Sequence, residues 1–167
     1  MKQLPEATCA DFDRIRQQFS YCPVTGVLTR VTGPERFRGI AGTKAGCGYL
    51  VVKIDGKMHM VHRVIVLLMT GDWPKGVVDH MDGAKLNNAW TNLRDVSVRV
   101  NQQNRRKPGA RNKTGHLGVS RRNEGLPFVA HISIDGKNKN LGGFDTAEQA
   151  GRAYLDAKRS HHAGCTL

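Results

Sequence analysis

The chain has 167 residues, enough for one ordinary domain or two small ones, each with a modest core. Its 26 Lys+Arg against 14 Asp+Glu leave a formal charge of +12, which suits an anionic polymer or surface and argues against a binder of neutral metabolites. The longest apolar run, 64–69, is too short to span a bilayer, and residues 1–19 contain no continuous apolar signal core. A soluble, cytoplasmic protein with no membrane partner is expected, and nucleic acid leads the partner classes.

In chain order, Phe12, Ile15 and Phe19 recur at near-helical spacing and predict an amphipathic helix over 1–19. CPVTGVLTRVTG has the punctuation of a hairpin, and KAGCGYLVVKIDGKMHMVHR predicts a second one turning at Asp55-Gly56. RVIVLLMT, from Arg63 to Thr70, is apolar nearly all round and reads as a buried helix stopped by Gly71 and Pro74. His62-Arg63 reads as a packing element at its start, and Trp73 and Trp90 as packing aromatics. Cys9, Cys22, Cys47 and Cys165 form no C-x-x-C pair, so reduced thiols are expected rather than zinc or disulfides.

The stretch VVDHMDGAKLNNAWTNLRDVSVRVNQQN, 77–104, carries the chemistry. Val77 to His80 reads as a strand, TNLRDV as its return strand, and VRVNQQN as a short helix with Ser97 as N-cap. Cleaving a phosphodiester needs a water deprotonated near neutral pH and positive charge on the crowded phosphate. A histidine suits the first task, and a hard divalent ion on oxygen ligands suits the second. Asp79 is a candidate anionic ligand beside His80, Asn101 a neutral amide ligand about one turn into the helix, and Asn92 a partner able to orient the imidazole.

No acid falls between Val96 and Asn123, whereas Arg99, Arg105, Arg106, Lys107, Arg111, Lys113, Arg121 and Arg122 do. Residues 106–114 therefore read as a basic linker, with Arg105, Arg106 and Lys107 placed for phosphate contact. Beyond it, strands are expected at Leu117 to Arg121, Phe128 to Ile134 and Lys139 to Leu141, with turns at 123–127 and Asp135-Gly136. Thr146 and Gln149 form a capping box that opens a helix, inside which Gly151 costs about 1 kcal/mol relative to Ala. Phe128, Ala130, Ile132 and Ile134 alternate inward, leaving Val129, His131 and Ser133 outward. His161 and His162 read as part of a frayed tail.

The D-H pair, the Asn twelve residues after His80 and the Asn nine beyond it resemble the HNH endonucleases of the phage homing type. VHRVIVLLMTGDWPKGVVDH resembles the segment that precedes the motif in that family, and the likeness spans about 20–105. The resemblance implies a ββα-metal finger in which Asp79 and Asn101 bind the divalent ion, His80 is the general base, Asn92 positions His80, and Asn88 stabilises the turn. An oxygen-rich site with one carboxylate and one amide prefers hard cations, so Mg²⁺ is the expected cellular ion, with Mn²⁺ or another divalent ion as substitute. Ala84 and Leu86 depart from the family's usual turn residues.

GVSRR, FVAHISIDGK, LGGF and DTAEQAGRAYLDA are similar to the DNA-binding domain of plant ethylene-response factors, over about 115–164. That likeness implies contacts to double-stranded DNA through Ser120, Arg121, Arg122, His131, Ser133, Asn138 and Asn140. The expected fold is α+β: a finger-bearing nuclease domain over 20–105, the linker, and a three-stranded antiparallel sheet packed on one helix. The expected function is a metal-dependent DNA endonuclease of a phage or mobile element, monomeric or weakly dimeric. The alternatives are a non-catalytic DNA-binding regulator and, less favoured by these residues, an RNA-binding module.

Overall fold

A computed structural model of the chain describes residues 9–123 and 127–167, and it divides into two compact units, Met1–Ser97 and Val98–Leu167. In the first unit, α1 (Cys9–Gln18) leads directly into β1 (Phe19–Cys22), and Ile15 and Phe19 enter the core. Residues 1–8 of the expected helix lie outside the described residues. β1 pairs antiparallel with β2 (Val27–Arg30), from Phe19↔Arg30 to Cys22↔Val27, and β3 (Gly39–Ile40) adds to β2.

A second sheet follows: β4 (Thr43–Lys44), β5 (Leu50–Ile54) and β6 (Lys57–Met60). Its β5–β6 turn sits at Asp55-Gly56, with φ of 47° and 80°. Two successive left-handed residues match the right-handed twist of a hairpin, which is why an Asp-Gly pair turns there. α2 (Val61–Thr70) starts two residues before the expected Arg63, because Val61 and His62 are themselves buried. It ends where predicted, on Gly71 with φ 85°, whose N–H donates to the Leu67 carbonyl. β7 (Val77–His80) and β8 (Leu93–Val96) then form a two-stranded antiparallel ribbon; the first two residues of the expected TNLRDV strand are in the 3₁₀ turn Trp90–Asn92.

The second unit begins with α3 (Val98–Gln103), followed by β9 (Val119–Arg121), β10 (Phe128–Ile134), β11 (Lys137–Phe144) and α4 (Ala147–His161). The strands run antiparallel in the order β11-β10-β9. The Thr146 hydroxyl accepts from the Gln149 N–H and the Gln149 side chain accepts from the Thr146 N–H, as the capping box requires. Gly151 is explained by close packing: a Cβ there would lie 2.6 Å from His116 Nδ1.

Several expectations need correction. Val129, assigned outward, is buried at 1% exposure, as an apolar side chain favours; the open part of that face begins at His131. β9 starts at Val119 and β11 runs from Lys137 to Phe144, with a register shift opposite Ala130/His131. The expected boundary at 106–114 is not a bare linker. The Asn112 amide donates to the His116 and Val119 carbonyls, and its oxygen caps Thr114 and Gly115. α3 belongs with this second unit: Gly164 N–H donates to Gln103, the Arg106 guanidinium donates to Thr166, and Arg99 pairs with Asp135. The same bonds tie down the expected tail, where His162 Nε2 sits 2.8 Å from the Ser133 carbonyl. The expected turn at 123–127 contains residues 124–126, outside the described residues.

Candidate active site

The ribbon β7–β8 positions the first two candidates. Asp79 pairs directly across from Arg94, so their side chains share one face, and Arg94 Nε and Nη2 donate to the same carboxylate oxygen at 2.9 and 2.7 Å. The Asp79 side chain is only 8% exposed, so this oxygen-rich position holds a positive charge in partial shelter from water. His80 follows on the alternate face at the strand end and is also buried.

The turn 81–92 is built on Asp82 and Asn92. Asn92 Oδ1 accepts from the Asp82 N–H at 2.9 Å, and Asn92 Nδ2 donates to Asp82 Oδ1 at 2.9 Å and to the Asn87 carbonyl at 2.8 Å. Asp82 also accepts from the Ala84 N–H and the Asn87 amide. Burial pushes the Asp82 carboxyl up, but the donors from Asn87, Ala84 and Asn92, with His80 nearby, hold it below its ordinary value.

With its amide committed in this way, Asn92 makes no hydrogen bond to the imidazole. Asn88 does: its Oδ1 lies 3.0 Å from His80 Nε2, and Asn88 is 2% exposed. The two asparagines thus exchange the parts expected of them, because the turn curls Asn88 back over β7 while Asn92 remains at its base.

Asn88 is fixed from far upstream. The Tyr21 hydroxyl donates to the Asn88 carbonyl at 2.8 Å, and the Trp90 N–H donates to the Pro23 carbonyl at 2.9 Å. Gly26, with φ 73°, approaches so closely that a Cβ would lie 2.4 Å from the Ala89 nitrogen. The β1–β2 hairpin is therefore a buttress for the turn.

The sequence does not single out Tyr49 or Lys85, and His62, expected only to pack, also lies at this site. His62 and Tyr49 flank His80, with ring centroids 5.2 and 5.7 Å from it. Lys85 reaches from the turn to the Cys47 carbonyl at 2.9 Å and lies over the Tyr49 ring at 4.7 Å. A histidine inside an otherwise apolar helix is the available signal for His62; Tyr49 and Lys85 are placed by contacts to His80, Cys47 and each other across 31 residues or more, which spacing does not reveal.

Asn101 lies on α3 in the second unit, partly buried. Among the described residues no group of three or more His, Cys, Asp or Glu side chains is placed to hold a metal.

The profile of the HNH endonuclease family matches residues 59–103, which include β7, the turn and β8. The chain is 33% identical over 120 residues to the DNA endonuclease I-HmuI of Bacillus phage SP01, covering 67% of this chain and 68% of that protein. This chain belongs to the HNH endonuclease family. A second HNH endonuclease, L560 of Acanthamoeba polyphaga mimivirus, is 32% identical over 108 residues, covering 64% of this chain and 54% of that protein. A solved structure described as DNA binding and cleavage by the HNH homing endonuclease I-HmuI aligns at 24% identity and a TM-score of 0.43, covering 88% of each chain. Among the described residues no helix is long and apolar enough to cross a membrane.

On the second unit's sheet, register places Ser120 opposite Val129, Asn140 opposite His131 and Asn138 opposite Ser133, so these side chains share a face. All of them except Val129 are exposed. Arg121 pairs with Phe128 on the opposite face, and Arg122 follows the strand; both are exposed. Arg105 and Lys107 are exposed as well, whereas Arg106 is partly buried on Thr166.

Proposed function

We propose that this HNH protein is a divalent-metal-dependent DNA endonuclease in which His80 takes the proton from the attacking water. The observation that carries this reading is the bond between His80 and Asn88. With Asn88 Oδ1 as acceptor, Nε2 carries the ring proton, and Nδ1 keeps the lone pair that a general base requires. Asp79 and, as the family resemblance implies, Asn101 would hold the ion, which supplies positive charge to the strained phosphate and the leaving 3′ oxygen. The products would be 5′-phosphate and 3′-hydroxyl ends.

Double-stranded DNA as substrate is supported by the net charge of +12 and by the kinship with a phage DNA endonuclease. Strand, turn, strand and α3 would act as the ββα finger. The exposed sheet face with Ser120, His131, Ser133, Asn138 and Asn140 would read DNA in the manner of the ethylene-response-factor domains, while Arg105, Arg121 and Arg122 grip phosphates. A homing role and a monomer or weak dimer complete the proposal.

Incubating supercoiled plasmid with the protein and Mg²⁺, alongside EDTA and a His80→Ala variant, tests it. Nicking or cutting by the wild type alone is the expected result. Intact plasmid in all three, with retardation on a gel, would instead identify a non-catalytic DNA-binding protein.

A further inference from the structure

The bond from Nε2 to Asn88 sets where one ring atom of His80 lies. The ring plane, and with it the direction of the Nδ1 lone pair, also depends on what packs against the ring.

Two aromatic rings pack there. His62, in the first turn of α2, stands at 89° to His80 with centroids 5.2 Å apart; Tyr49, just ahead of β5, lies at 37° and 5.7 Å. His62 and Tyr49 also meet each other edge-on at 5.0 Å, so the three rings form a closed triangle. Edge-to-face contacts of this kind are orientation-dependent, which is what distinguishes them from packing by an aliphatic chain. His62 is 7% exposed and sits in a helix whose other buried residues are Val61, Val64, Ile65, Val66 and Leu67. For packing alone, an aliphatic residue would avoid the cost of burying an imidazole.

We propose that His62 is a positioning residue for the general base: its ring, braced by Tyr49, holds the His80 plane so that Nδ1 faces the attacking water. Burial, reinforced by His80 and Arg63, pushes the His62 pKa down to about 4, so the brace stays neutral and adds no like charge when His80 takes up a proton. The inference rests on the reading of His80 as the base.

The test compares His62→Leu, which keeps apolar volume but no planar ring, with His62→Phe, which keeps the ring. Turnover at saturating plasmid, KM for DNA, DNA affinity in EDTA, melting temperature and the ring resonances of labelled His80 are measured for each. The expected result is a turnover reduced about 10- to 100-fold in the leucine variant, the range found for groups that orient catalytic ligands. KM, affinity and melting temperature stay near wild type, the His80 ring signals broaden, and the phenylalanine variant recovers most of the turnover. Turnover near wild type in both variants would overturn the proposal. So would a leucine variant that loses affinity and folding together, because that marks a structural role. A wild type that leaves DNA intact would sink the nuclease reading itself, a different failure.

Discussion

Asn88 Oδ1 meets His80 Nε2 at 3.0 Å inside a turn at whose base Asn92 is fully engaged with Asp82 and the Asn87 carbonyl. Orientation of His80 and integrity of the turn are therefore separable. Asn88→Ala is expected to lower plasmid nicking about 10- to 100-fold and, because it removes one side-chain hydrogen bond rather than three, to cost less stability than Asn92→Ala. Asn92→Ala removes three hydrogen bonds and leaves buried groups unpaired, so it should destabilise the fold by about 1–3 kcal/mol in urea titration. Equal loss of stability in the two variants would contradict the division of labour.

How much of this was legible beforehand follows from the range of each interaction. The Asp55-Gly56 turn, the Thr146 capping box and the stop of α2 at Gly71 are local, decided by residues a few positions apart, and each stands where the sequence places it. Asp79 and His80 were visible as a pair for the same reason. Which amide reaches His80 depends on how the turn folds over β7, and that depends on Tyr21 and Gly26, more than 60 residues upstream of Asn88. The Tyr49 and His62 rings, and the burial of Val129, likewise arise from tertiary packing that alternation and spacing do not encode.

Arg94 neutralises Asp79 in a site that is mostly sheltered, so removing it deprives a buried carboxylate of two charge-assisted hydrogen bonds. Arg94→Gln is expected to destabilise the protein by roughly 2–4 kcal/mol in the absence of divalent ions, less than a fully buried pair because Arg94 retains 22% exposure. If Asp79 is an ion ligand, millimolar Mg²⁺ should raise the melting temperature of this variant more than that of the wild type. A calorimetric scan with and without Mg²⁺ decides it; identical shifts in both proteins would remove Asp79 from the ligand set.

His62 also gives stability a pH dependence with a definite sign. Its pKa falls from 6.5 to about 4 on folding, so above 6.5 both states hold it neutral and it contributes no slope. As pH drops from 6.5 towards 4 the unfolded chain binds a proton that the folded protein refuses, and stability is lost across that window, reaching roughly 2 kcal/mol by pH 5. Urea midpoints at pH 7 and pH 5 should show this loss in the wild type and a smaller one in His62→Phe.

The second unit's two sets of candidate contacts should differ in their response to salt. Ser120, Ser133, Asn138 and Asn140 are neutral and exposed on one face, so alanine at Asn138 or Asn140 should weaken binding to a preferred sequence without changing the salt slope. Arg121→Gln or Arg122→Gln should weaken binding to any DNA and reduce the slope by about 1 each, if each contacts a phosphate. Gel retardation across a salt series on specific and random duplexes separates the two. A change of slope in the asparagine variants would mean that the face meets the backbone rather than the bases.

The hairpin buttress predicts a loss of activity from a residue that touches no reacting group. Gly26 has φ 73°, and a Cβ there would fall 2.4 Å from the Ala89 nitrogen and 2.5 Å from the Asn88 carbonyl carbon, both backbone atoms that cannot swing aside. Gly26→Ala therefore combines backbone strain with a clash and should push the β1–β2 turn away from the loop, costing about 1–3 kcal/mol of stability. Because Asn88 is held there by the Tyr21 hydroxyl, displacing the hairpin should also loosen Asn88 on His80. Tyr21→Phe provides the milder version: it deletes one hydrogen bond worth about 1 kcal/mol and introduces no clash. Nicking should fall in the order wild type, Tyr21→Phe, Gly26→Ala, with DNA affinity in EDTA unchanged. If Gly26→Ala cleaves as fast as the wild type while remaining folded, the hairpin does not support the base.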